Sequence, residues 1–217
     1  MQEIFLDAKV VCTDGECGRL SHVIIDENSK KITHFAVKNS NPLASHQYLV
    51  PIESVINGSP ESIQLSCKRI EVFRMPAFTE MRFFNPITSK YESLKDFSDE
   101  AVAAFNTRMM CFDSSTGKDR CSMTIETELI PAGEAAVSKG ASVEATDGHI
   151  GRLEEFVIDS NDENNARLVL EEGHLWHKKE LTLPLSAIAH INEDRIYLNL
   201  SRKAIRLLPK VAIEHPK

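Results

Sequence analysis

The sequence predicts a mainly β fold: two small open β-barrels of about five strands each, joined by an α/β insert, with a short C-terminal helix. Three observations predict it. The chain repeats itself, reading T-D-G-E-C-G-R-L at 13–20 and T-D-G-H-I-G-R-L at 146–153. Short apolar runs alternate with turn-forming residues through both repeats, the spacing of a small all-β module. The stretch between the repeats has no counterpart in either. The expected divisions are therefore 1–70, an insert at 71–137, and 138–217.

The repeat extends well beyond its motif. At one constant offset, Ile25-Asp26 falls on Ile158-Asp159, Pro51 on Pro184, Ile63 on Ile196 and Leu65 on Leu198. About fourteen of roughly sixty aligned positions are identical, against about four by chance, which marks a duplication.

Each element has a physical reading. Residues 10–12, and those around Val143, are short apolar segments of strand type. Asp14-Gly15 and Asp147-Gly148 supply the Asp-Gly pair of a tight hairpin, because Gly takes positive φ without steric cost. Gly18 and Gly151 follow within the next strand, where a glycine marks a bulge or a close backbone approach. That strand is apolar on both faces. Strict alternation puts Leu20 and Ile24 on one side and Val23 and Ile25 on the other, with Leu153, Phe156, Val157 and Ile158 repeating the pattern. Polar turns at 27–31 and 160–165 lead to third strands at 32–37 and 166–170. Variable loops then lead to fourth strands at 48–50 and 181–183, ended by Pro51 and Pro184, which cannot donate to an interior ladder. Fifth strands are expected at 63–67 and 196–200.

The insert is rich in large apolar groups: Met75, Phe78, Met81, Phe83 and Phe84. Such density suits packing against a barrel or a partner, a dimer interface included, and not a free linker. Leu94, Phe97, Val102 and Phe105 are near helical spacing and predict a helix within 93–110, with Ser98-Asp99-Glu100 as its start. Residues 113–118 read as a hairpin tip between Met109-Met110 and residues 123–125. Cys111 and Cys121 flank it and could face each other. Residues 201–208 read as a short helix halted by Pro209.

Composition limits the function. The formal net charge is −7, with no clustered basic stripe, which argues against direct nucleic-acid binding. Apolar runs such as Val23-Ile24-Ile25 are far too short for a transmembrane helix. Met1-Gln2-Glu3-Ile4 lacks the pattern of a secretory signal, so a cytoplasmic location is expected. The five cysteines, Cys12, Cys17, Cys67, Cys111 and Cys121, include no C-x-x-C pair and read as buried thiols in a reducing compartment.

With these elements in place, the order of strand, T-D-G-x-x-G-R-L, long strand, turn, strand, loop and strand ending in I-P or L-P resembles the PRC-barrel domain. The likeness covers about residues 5–70 and 138–205. The second copy matches better, its G-H-L-W-H-K-K-E at 173–180 being similar to bacterial tandem PRC-barrel proteins. The family includes the H subunit of photosynthetic reaction centres and a ribosome maturation factor, and its barrels dock onto partners. This chain departs from the first in lacking a membrane helix. It departs from the second in lacking a further domain ahead of the barrel.

The candidate sites are few. His174 and His177 form an H-x-x-H pair, but no nearby cysteine or carboxylate cluster completes a metal set, so no metal or cofactor is expected. Trp176, the only tryptophan, stands beside Lys178 and Lys179, where it would anchor a partner or cap the end of its own barrel. His22 and His34 are expected diagonally across the first hairpin, with Glu155 and Arg167 as the second-copy equivalents. Asp147 near His149 superficially suggests an acid/base pair. The first copy, however, has Asp14 with Glu16, so the aspartate goes with the glycine turn. The expected function is a non-catalytic adaptor that docks onto a protein or membrane-associated complex through Trp176, His174, His177, Lys178 and Lys179. A ribosome-assembly factor and a small-ligand or metal sensor are the alternatives.

Overall fold

A computed structural model describes residues 2–40, 46–59, 61–84, 106–112, 120–159, 162–172, 179–192 and 195–208. The chain is mainly β and divides into two compact units. One is Met1–Pro76 with Ile130–Lys217, and the other is Ala77–Leu129.

The first unit carries both repeats. Copy one runs β1 (Gln2–Phe5), β2 (Lys9–Cys12), β3 (Gly15–Asp26), β4 (Lys31–Asn39), β5 (Gln47–Pro51), β6 (Val55–Gly58), β7 (Ser62–Leu65) and α1 (Arg69–Val72). The second unit supplies β8 (Thr79–Phe84), β9 (Asn106–Phe112) and β10 (Arg120–Glu128). Copy two runs β11 (Glu134–Ser138), β12 (Ser142–Ala145), β13 (Gly148–Asp159), β14 (Asp162–Glu172), β15 (Lys179–Pro184), β16 (Ile188–Asn192), β17 (Arg195–Leu198) and α2 (Arg202–Arg206).

The two copies build sheets of the same order, β5-β4-β3-β2-β7-β6 and β15-β14-β13-β12-β17-β16. Both are mixed, because β2 runs parallel to β7 and β12 parallel to β17. Neither sheet closes on itself. Each takes its seventh strand from the other copy. β1 pairs with β13 from Gln2 opposite Ile158 to Phe5 opposite Glu155. β11 pairs with β3 from Ala135 opposite Ile25 to Ser138 opposite His22, one further pair joining Glu134 to Asp26. Residues 2–5 and 135–138 are equivalent at the offset of the repeat, and their registers coincide residue for residue. The copies have therefore exchanged their first strands. A single hydrophobic cluster accordingly draws on both, with Ile4, Leu20, Val23, Ile25 and Phe35 packed alongside Leu153, Phe156, Ile158, Leu168 and Leu170.

The long strand β3 bends at two bulges. Pairing to β2 shifts around Cys17, where Val10 faces Gly18 and Val11 faces Glu16. Pairing to β4 skips Ser21, with Leu20 opposite Val37 and His22 opposite Ala36. The second bulge corrects the face assignment expected from strict alternation. An unpaired residue after Leu20 inverts the pattern, so Leu20 shares the common core with Val23 and Ile25 and not with Ile24. The skip at Glu154 does the same for Leu153, Phe156 and Ile158. Gly18 is required by close approach: a Cβ there would press into the Lys38 carbonyl oxygen and stand 3.0 Å from Val37 Cγ1.

In the second unit, β8-β10-β9 form a three-stranded antiparallel sheet. The helix expected within 93–110 is overturned at its end, since Asn106–Phe112 is a strand whose Met109 faces Met123. Residues 93–105 and the hairpin tip at 113–118 lie outside the described residues. Cys111 and Cys121 are directly opposite partners in this ladder. The expected short helix near the C-terminus is present as α2, capped by Ser201, whose Oγ accepts the Ala204 N–H at 3.3 Å. Pro209 lies outside the described residues.

Candidate functional site

The most repeated chemistry in the chain is the T-D-G turn, and its polar groups are engaged in both copies. Asp14 Oδ1 accepts the N–H of Arg69, the first residue of α1, at 2.8 Å. Asp147 Oδ1 accepts the equivalent N–H of Arg202, at the start of α2, also at 2.8 Å. The preceding threonines tie the same corner through backbone bonds, Thr13 N to Cys67 O at 3.1 Å and Thr146 N to Leu200 O at 3.0 Å. The Arg69 N–H holds the Asp14 carboxyl below the usual carboxylate range, with the Arg69 guanidinium 3.6 Å away adding to the effect. Gly15 and Gly148 take φ of 124° and 123°, which the turn requires.

Asp147 is thus turned toward α2 and not toward His149. The His149 ring joins Glu144 and Ser142 instead, from the facing strand. Its Nδ1 lies 3.2 Å from Glu144 Oε1 and 3.1 Å from Ser142 Oγ, and Ser142 Oγ donates to Glu144 Oε1 at 3.0 Å. Serine, histidine and carboxylate in mutual contact suggest a nucleophile relay, but the geometry excludes one here. A relay places the acid on one ring nitrogen and the hydroxyl on the other, whereas here both crowd Nδ1. The cluster is half exposed and acts as a surface ion pair when His149 is protonated. Sequence spacing misses it, because the bulge around Ile150 sets which residues face across the ladder.

Copy one gathers three thiols in the corner beneath its T-D-G turn. Cys12, Cys17 and Cys67 influence one another's titration, and burial is the first cause that pushes all three thiols up. Cys17 Sγ also donates to Val10 O at 3.4 Å. The corresponding residues of copy two are Ala145, Ile150 and Leu200, so three thiols occupy what the repeat treats as core positions. Neutral buried thiols behave as small apolar groups. Among the described residues no group of His, Cys, Asp or Glu is arranged to hold a metal ion. Reading the cysteines against the repeat would have signalled the cluster, since each falls on an apolar partner.

No family model matches the chain, and no curated protein matches it.

His22 and His34 are diagonal neighbours, His22 facing Ala36 and Ile24 facing His34. Glu155 and Arg167 repeat the relation, facing Val169 and Val157. His34 Nδ1 in turn lies 3.7 Å from Glu134 Oε2 on the exchanged strand β11. Of the residues expected to bind a partner, Trp176, His174, His177 and Lys178 lie outside the described residues, and Lys179 opens β15 opposite Glu172. The surface feature missed by sequence reasoning is apolar. Ile70 on α1 is 54% exposed and Phe73, at its C-terminal end, is 36% exposed. The Phe73 ring leans on Tyr48 with centroids 5.6 Å apart. Copy two carries Lys203 and Arg206 at the positions of Ile70 and Phe73.

Proposed function

We propose that the protein is a non-catalytic, cytoplasmic adaptor whose paired PRC-type modules dock onto a larger protein or membrane-associated complex. The observation that carries this reading is the apolar patch of Tyr48, Ile70 and Phe73 on copy one. At the positions of Ile70 and Phe73 the sister copy is basic. Large apolar side chains gathered at the surface favour a site with a partner. The repeated motif supports the same reading, because Asp14 and Asp147 spend their carboxylates on helix starts. Three neighbouring thiols held neutral fit a reducing compartment. No helix among the described residues is long and apolar enough to cross a membrane.

The test is affinity capture with the full chain from its source, membrane extract and soluble fraction kept separate. The captured partner is then purified and rebound to variants. Phe73→Ala with Ile70→Asp addresses the patch, and Trp176→Ala addresses the second-copy loop. Loss of stoichiometric rebinding in either variant, with unchanged thermal unfolding, is the expected result. Undiminished rebinding by both variants defeats the proposal.

A further inference from the structure

The exchange of β1 and β11 sets up a second use of the same contact. β1 is followed by a turn at Leu6, Asp7 and Ala8, as β11 is by the equivalent turn at Lys139, Gly140 and Ala141. Phe5 O accepts the Ala8 N–H at 3.1 Å, closing a four-residue turn with Asp7 in its third position. Asp7 there takes φ of 76°, the left-handed conformation that such a turn asks of glycine. Copy two has Gly140 at the equivalent place, with φ of 81° and the matching bond from Ala141 N to Ser138 O. One hinge of the pair is thus strained and the other is not, and the strained hinge carries β1. The side chains it brings, Ile4 and Leu6, are fully buried.

We propose that the flank of β13 from Glu155 to Ile158 is an interface for a second copy of this chain. Opened at Asp7, β1 of one molecule would pair with β13 of the other, and reciprocally, in the register the closed chain uses. The occupant is specified by continuity with the internal contact. The fold already passes this strand between two equivalent sheets, and β1, opened at its strained hinge, repeats the exchange between chains without new surface. Opening releases Asp7 from the left-handed region in both partners, so the open dimer is favoured by the residue that strains the closed monomer.

The test is light scattering on the full chain across a range of concentrations, after equilibration in mild denaturant so that the hinge can open. A dimer that dissociates on dilution is expected. Asp7→Gly should weaken it about fivefold per hinge, and so about 25-fold in all. Asp7→Pro, which cannot take positive φ, should shift the chain toward dimer. Deletion of residues 1–6 should abolish the dimer. A chain that stays monomeric at every concentration, a dimer indifferent to Asp7→Gly, or one that survives the deletion each overturns the proposal. Should Asp7→Pro fail to fold, the glycine variant and the deletion still decide it.

Discussion

Replacing Gly18 with alanine tests the bend of β3 most directly. The new Cβ would lie 3.0 Å from both the Lys38 carbonyl carbon and Val37 Cγ1, and closer still to Lys38 O. The obstructing oxygen belongs to backbone, so no side-chain rotation relieves it, and β3 must part from β4 locally. Overpacking of this kind costs about 1–3 kcal/mol, and a ladder hydrogen bond lost in parting the strands about 1 more. Stiffening the unfolded chain returns about 0.4–1 kcal/mol. The net loss is about 1–3.6 kcal/mol, or about 2–14 °C in Tm for a unit of this size. Urea and thermal unfolding read it. Gly140→Ala is the control: it has positive φ but nothing within 4 Å of the added Cβ, so its cost is conformational only. Gly18→Ala within about 0.5 kcal/mol of the parent, a typical surface effect, would refute the close approach.

Two predictions concern pH. The carboxyl of Asp14 is held low by the Arg69 N–H and that of Asp26 by the Ser29 N–H. Their stabilisation is present above the ordinary carboxylate pKa, about 3.9, and is lost as pH falls through the folded values. Asp14→Asn and Asp26→Asn should therefore each flatten the decline of stability below about pH 4, read by denaturant midpoints across the acid range. The thiols of Cys12, Cys17 and Cys67 are pushed up by burial, so their contribution is present below the ordinary thiol pKa, about 8.5, and declines as pH rises toward the folded values. At neutral pH their alkylation, mapped by peptide mass, should run at least about tenfold slower in the native than in the unfolded chain. Equal rates would show that the corner is open.

The duplication and most of its strands were legible in the sequence, because each depends on local chemistry. Asp-Gly marked the turns before β3 and β13, Pro51 and Pro184 ended β5 and β15, and apolar runs marked β4 and β14. What escaped depends on contacts distant in sequence. β1 and β11 are short, and nothing local in Gln2–Phe5 says that its hydrogen bonds go to Glu155–Ile158. Bulges were partly visible: Gly18 announced one, but Ser21 and Glu154 are ordinary residues and inverted the faces without a signal. The Ser142–Glu144–His149 cluster escaped for the same reason. The patch on α1 escaped because no helix was expected at 69–72, and the exposure of Ile70 and Phe73 depends on where that helix lies.

The exchanged strands also decide how the repeats unfold. Two barrels on a string would melt separately, each shielded from damage to the other. Here each sheet contains a strand of the other copy, and one hydrophobic cluster spans both. Loss of either sheet would strip Ile4 or Val137, both fully buried, from the survivor. Leu20 and Leu153 occupy equivalent positions in the two copies and are almost wholly buried. Leu20→Ala and Leu153→Ala should each cost about 2–5 kcal/mol. Calorimetry should show both substitutions lowering the same transition, to similar extents, with its calorimetric and van't Hoff enthalpies in agreement. If each alanine moved a transition of its own and left the other in place, the copies would be thermodynamically separate. The strand exchange would then contribute nothing to coupling them.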